Sequence, residues 1–131
     1  MINKDLTIFV STCDSYSDLW IPFSKCLEKY VDLGCEVIFV SESKKIDGYH
    51  TITPGFLSWG ERNLIALNEV KTKYVFWLFE DYFFFKNISQ VVMGEFLKFA
   101  KEKDIDRLQI SPNWQNKNIY SFLETKNFNP K

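Results

Sequence analysis

The fold is decided by residues 58–85, SWGERNLIALNEVKTKYVFWLFEDYFFF. Ser58 with Glu61 three residues later is a capping box, in which each side chain satisfies the other's free backbone N–H. Leu64, Leu67 and Val70 then recur at helical spacing and predict an inward apolar stripe. After a short turn, Tyr74 to Phe79 carries no charge and no small polar residue. A strand apolar on both faces belongs to a parallel sheet covered by helices, so Tyr74–Phe79 is expected to be the central, most buried strand. Glu80 and Asp81 close it. In open parallel sheets ligands bind at the carboxyl ends of the strands, which makes this acidic pair a candidate site.

Working outward, strand and helix patterns alternate. Leu6 to Ser11 is β-rich and runs into the polar STCDSYSD. A helix fits Leu19 to Leu33, with Phe23, Cys26, Leu27, Tyr30 and Val31 at three- and four-residue spacing, Pro22 tolerable in the first turn and Gly34 as the stop. Cys35 to Val40 is a second strand. His50 to Thr53 is a short third one, closed by Pro54-Gly55. Beyond Phe85, Asn87 or Ser89 caps a further helix whose inward residues are Val92, Phe96, Phe99 and Ala100. Arg107 to Ser111 reads as a last strand. This order implies an α/β fold: three layers, a mainly parallel sheet flanked by helices, and strand order 3-2-1-4 under right-handed crossovers. The expected division is a domain over 1–111 and a polar, Asn-rich tail over 112–131.

The composition narrows the functional classes. A chain of 131 residues builds one core. The formal net charge of −1, with Lys and Arg scattered, argues against nucleic acid, which needs a concentrated basic face. Cys13, Cys26 and Cys35 form no C-x-x-C pair and cannot all be paired within one chain, which points to a reducing, cytoplasmic setting. No apolar run approaches the ~20 residues of a membrane span. An aromatic share of 18% favours large buried contacts or platforms for flat or sugar-like ligands. The aromatic tip Tyr82 to Phe85 offers a contact for the periphery of a membrane or for a partner.

Several residues meet at the expected ligand edge. Thr12, Cys13 and Asp14 follow the first strand. Asp14 is placed to accept a base N–H and Tyr16 to stack on the ring, the alternative being that Asp14 or Asp18 caps the following helix. Glu42 follows the second strand and is a further candidate for base or ribose contact. Arg62 sits in the first turn of a helix, where a cation opposes the helix dipole. Contact with a diphosphate or with Asp81 would account for it, as would an ordinary surface position or a salt bridge to Glu61 or Glu69. Asp81 is the candidate metal ligand, with Glu80 positioning metal, ribose or water; the alternative is that both are solvated strand-end charges.

With these residues in place, the chain resembles the GT-A nucleotide-sugar glycosyltransferases over about Leu6 to Ser111. The resemblance rests on the first strand running into STCD, on Glu61-Arg62-Asn63 opening a helix, and on Leu78-Phe79-Glu80-Asp81 closing a strand, which is similar to that family's acidic metal signature. Phe79 stands where the signature has its first acid. The resemblance implies a nucleotide-diphosphate sugar donor, a UDP-sugar above all, bound at Thr12, Cys13, Asp14, Tyr16, Glu42, Arg62 and Glu80. It implies Mn²⁺ or Mg²⁺ on Asp81 and transfer to a saccharide or lipid-linked glycan acceptor. The metal would neutralise the departing diphosphate. In that family the base and the acceptor pocket come from chain beyond the fifth strand, whereas here about twenty residues follow Ser111. The expectation is therefore a nucleotide-binding half: a piece of a longer enzyme, a compact one completed by a partner chain or a homo-oligomer, or a module that no longer catalyses. The 131 residues alone are expected not to transfer sugar.

Two other classes compete. A phosphoacceptor receiver-like domain needs its acid pair after the first strand and a Lys after the last, and here the pair follows Phe79 while Ser111-Pro112 ends the series. A non-catalytic interaction module would use the aromatic tip and bind no metal-dependent nucleotide.

Overall fold

The computed structural model describes residues 2–110. In chain order the elements are β1 (Leu6–Ser11), a 3-10 turn (Asp14–Leu19), α1 (Trp20–Tyr30), β2 (Val37–Val40), β3 (His50–Ile52), α2 (Trp59–Glu69), β4 (Tyr74–Phe79) and α3 (Gln90–Lys103). The chain divides into two compact units, Met1–Met93 and Gly94–Lys131, a division that falls inside α3. Ser111 and the tail from Pro112 lie outside the described residues. No helix of the described residues is long and apolar enough to cross a membrane.

The first unit holds a four-stranded, all-parallel sheet in the order β3-β2-β1-β4. Its register fixes two faces. Phe9 pairs with Ile38 and with Trp77, and Ser11 with Val40 and Phe79, so these side chains share one face. Against that face packs α2: Phe9, Ile38, Val40, Ile52 and Ala66 form a buried cluster flanked by Leu67, Val70, Val75 and Trp77. On the other face Phe23 of α1 meets Phe39 edge-on, with ring centroids 6.0 Å apart. An α/β fold with helices on both faces of a parallel sheet is thus established.

Two expectations are corrected. The central strand is β1, buried at every position, while β4 is only half-buried at five of its six positions. Apolarity alone does not rank strands. Among the described residues no strand joins the outer side of β4, and the expected strand from Arg107 does not form over 107–110.

The second correction concerns α2. The capping box forms as read, with Glu61 N–H donating to Ser58 Oγ and Ser58 N–H to Glu61 Oε2 at 3.0 Å. Of the expected stripe, Leu67 and Val70 pack against the sheet cluster, but Leu64 does not. Leu64 is 62% exposed, whereas Arg62, Asn63 and Ala66 are buried. Trp59 lies against Trp77 and Phe79, with centroids 5.8 and 6.5 Å away, and Ala66, Leu67 and Val70 join the sheet cluster, so the inward face takes in position 66 instead of 64. Ala66 lets the helix approach closely, and Leu64 is turned out to water.

The termini of the remaining helices follow local chemistry. α1 ends at Tyr30, short of the expected Leu33, and Gly34 adopts a left-handed φ of 64° in the turn into β2. Of the two candidate caps for α3, Ser89 holds it, with Val92 N–H donating to Ser89 Oγ at 3.1 Å. Within the second unit α3 ends at Lys103; Asp104, the next residue, has a φ of 51°, and Ile105 N–H reaches back to the Ala100 carbonyl at 2.9 Å.

Candidate functional site

Because all four strands are parallel, their carboxyl ends share one edge of the first unit. Thr12, Ser41 and the Glu80-Asp81 pair therefore stand there together. Thr12 extends the ladder by donating its N–H to the Val40 carbonyl at 2.9 Å, and its Oγ1 accepts from the indole N–H of Trp20 at 2.8 Å. Both residues are buried, so Thr12 anchors the start of α1. Cys13 is half-buried, a free thiol 3.1 Å from Ser15 Oγ. Tyr16 is 52% exposed at the same edge.

Asp14 and Glu42 form a reciprocal strap between the loops that follow β1 and β2. The Asp14 N–H donates to Glu42 Oε1 at 2.9 Å. In return, the Asp14 carboxylate accepts from the backbone N–H groups of Glu42, Ser43 and Lys44, at 3.3, 3.1 and 3.0 Å to Oδ1. The Ser43 hydroxyl donates to Oδ2. Desolvation raises the pKa of this carboxyl. The Ser43 hydroxyl and the three N–H donors outweigh that effect and leave it below the ordinary aspartate value. Asp14 does not cap a helix. Its lone pairs are spent on the neighbouring loop, which it holds in place.

Arg62 and Asn63 carry the least expected feature. Arg62 is only 7% exposed and Asn63 only 3%, although both open a helix. One guanidinium nitrogen, Nη1, donates to the Leu57 carbonyl at 2.9 Å, and Asn63 Nδ2 to the Trp59 carbonyl at 2.9 Å. Arg62 Nε and Asn63 Oδ1 are buried without a hydrogen-bond partner. No ion pair of Arg62 to Glu61 or Glu69 exists among the described residues. Glu61 is committed to the cap, and its hydrogen bonds from Ser58 hold its carboxyl below the ordinary glutamate value. Arg62 is thus neither a surface arginine nor a salt-bridge partner of its helix neighbours.

The acidic pair splits. Glu80 is buried at 7% exposure, while Asp81 is exposed in the tight turn where Tyr82 N–H bonds the Phe79 carbonyl at 3.1 Å. Of the two, Asp81 is accessible to a ligand. No cluster of three or more His, Cys, Asp or Glu that could hold a metal occurs among the described residues.

The fold therefore brings Thr12, Cys13, Asp14, Tyr16, Glu42, Glu80 and Asp81 to one edge, with Arg62 and Asn63 in the first turn of the helix that packs over β4. Nothing in the local sequence sets Asn63 apart beyond its place beside Arg62. Its position four residues after Trp59, on the face that carries Ala66, is the signal that marks it as inward. No protein-family model, curated protein or solved structure matches the chain.

Proposed function

We propose that this edge binds a nucleotide-diphosphate sugar together with Mn²⁺ or Mg²⁺, and that the chain serves glycosyl transfer in the manner of a GT-A enzyme. The observation that carries this reading is Arg62: a buried guanidinium in the first turn of α2, with an unpartnered Nε and, among the described residues, no ion pair. A buried cation without a counter-charge costs several kcal/mol, and at a helix N-terminus it also opposes the dipole. An anionic ligand relieves both costs, and free N–H groups at helix N-termini are natural phosphate donors.

The acidic residues fit the metal. Cations that travel with diphosphates are held by one or two carboxylates, the remaining positions going to phosphate oxygens and water. Asp81 supplies such a carboxylate, and the absence of a larger acidic cluster among the described residues is compatible with that mode. Bound there, the metal would supply charge neutralisation for the leaving diphosphate. Tyr16 and Glu42 serve the base and ribose, and the Asp14 strap keeps their loops in register. Glu80, buried beside Asp81, would position metal, ribose or water. We place the protein in the cytoplasm, with acceptor-binding groups supplied by further chain, a partner chain or a second copy.

Calorimetric titration tests the reading. UDP should bind at least about tenfold more tightly with Mn²⁺ than with chelator, roughly 1.4 kcal/mol, and Asp81→Asn should remove the difference. Equal binding in all four titrations refutes the assignment of Asp81. Absence of any nucleotide binding favours the interaction module.

A further inference from the structure

The two margins of the sheet in the first unit differ. At one of them β3 has only three residues, and a strand that short offers little to a second chain. At the other, β4 has six, Tyr74 to Phe79, with no proline and no charge among them. Its inner side pairs with β1 in parallel, Tyr74 N–H donating to the Asp5 carbonyl at 2.9 Å. Backbone groups of alternate residues point to opposite sides of a strand, so those of Val75 and Trp77, with the Phe79 N–H, point away from β1. They find no partner among the described residues.

The side chains of β4 are short of cover as well. Five of the six are half-buried. The cluster under α2 is centred on Phe9, Ile38, Val40, Ile52 and Ala66, and Val75 and Trp77 only flank it. The charges stand just outside the strand and differ in sign at its two ends. Lys71 and Lys73 are exposed before it; after it Glu80 is buried and Asp81 exposed. The Lys73 amine rests over the Tyr74 ring at 5.6 Å, and neither Lys73 nor Asp81 has an ion pair among the described residues. This polarity selects the geometry of self-pairing. Two copies placed parallel would set Lys73 beside Lys73 and Asp81 beside Asp81, and like charges repel. Two copies placed antiparallel, about a two-fold axis at Trp77, set Val75 opposite Phe79 and Lys73 opposite Asp81, each pair occurring twice by symmetry.

We infer that the outer edge of β4 is a self-association surface, where two copies of this chain join antiparallel and their four-stranded sheets continue into one. The outward backbone groups of Val75 and Trp77 then gain partners. The half-buried side chains of Val75, Trp77 and Phe79, which share one face, gain cross-strand neighbours. Because the pairing uses the long edge of both copies and leaves only the short one at β3, the assembly closes at two. The inference does not rest on the nucleotide reading. The two share Asp81, so self-association is measured without nucleotide or metal. An edge this short makes a small interface, and its dissociation constant is expected at about 10 µM.

The test is sedimentation velocity on the full chain from about 1 µM to about 1 mM, where the mass should pass from that of one copy to that of two. Lys73→Glu and Asp81→Lys each place like charges across the junction and should each weaken dimerisation about tenfold. Combined in one chain, they restore opposite signs and should return the dissociation constant to within about threefold of the parent. Both residues are exposed, so neither change disturbs the core. Amide exchange locates the junction: the Trp77 N–H should exchange more slowly as concentration rises, and the amides of β3 should not respond. A monomer throughout the range, assemblies that grow beyond two copies, a Trp77 amide indifferent to concentration, or a dimer no weaker in Lys73→Glu than in the double variant overturns the inference.

Discussion

Removing the Asp14 carboxylate should loosen the carboxyl edge without touching the core. The side chain accepts from three consecutive backbone N–H groups and one hydroxyl, all from the loop after β2. Hydrogen bonds to a charged acceptor contribute about 1.5–3 kcal/mol each when fully formed. Here they share one carboxylate in a half-exposed loop, where water replaces part of what is lost. We therefore expect Asp14→Ala to cost about 2 kcal/mol and Asp14→Asn, which keeps one carbonyl oxygen, about 1 kcal/mol. Urea denaturation of the parent and both variants measures this directly. The pH dependence gives an independent check. The carboxyl of Asp14 is depressed in the folded protein, so its contribution is complete above the unfolded aspartate value near 3.9 and is lost as pH falls through the folded value. The advantage of the parent over Asp14→Asn should hold from neutrality to about pH 5 and shrink below about pH 4. A cost under about 0.5 kcal/mol for Asp14→Ala, or a gap over Asp14→Asn that persists unchanged into acid, would refute the strap.

Two further variants test the packing. Trp77 is half-buried, lies 4.7 Å from the Phe9 ring and flanks the α2 cluster, so Trp77→Asp should cost roughly 3 kcal/mol through the lost ring packing; a melting temperature within a degree or two of the parent contradicts this placement. Leu64 is turned out to solvent, so Leu64→Gln should stay within about 0.5 kcal/mol of the parent. A loss in the range of roughly 2–5 kcal/mol for truncating a buried leucine would restore the inward stripe instead.

The strand order and the shared edge were legible because they follow from short-range signals: β-rich runs, a capping box, and crossovers of one hand. What the sequence hid depends on partners distant in the chain. The apolar run Tyr74–Phe79 resembles a central strand, yet only the pairing of β1 on both sides shows that Leu6–Ser11 holds that place. On α2 Leu67 and Val70 face inward as their spacing predicts, while Leu64 is turned out in favour of Ala66 by Trp59 meeting Trp77 and Phe79, contacts that helical spacing cannot contain. Asp14 could be recognised as an acid after a strand, but its donors come from the Glu42–Lys44 loop nearly thirty residues on. The burial of Arg62 and Asn63 was invisible for the same reason. Charged and amide residues in a first helical turn are ordinarily wet.

The place of β1 also governs the order of assembly during synthesis. Its first neighbour, β2, follows within one crossover, but its second is β4, whose Tyr74 pairs with Leu6 almost seventy residues earlier. At roughly 5–20 residues per second, several seconds separate the emergence of the two strands from a ribosome. Throughout that interval one side of the most buried strand among the described residues has no hydrogen-bonding neighbour, and the β1–β4 ladder closes the largest loop of the first unit. Such long-range parallel pairing places a domain among slow folders, in the millisecond-to-second range. Nascent chains cut before Tyr74 should accordingly be the aggregation-prone and chaperone-bound ones, while those that have passed Phe79 should become resistant to protease.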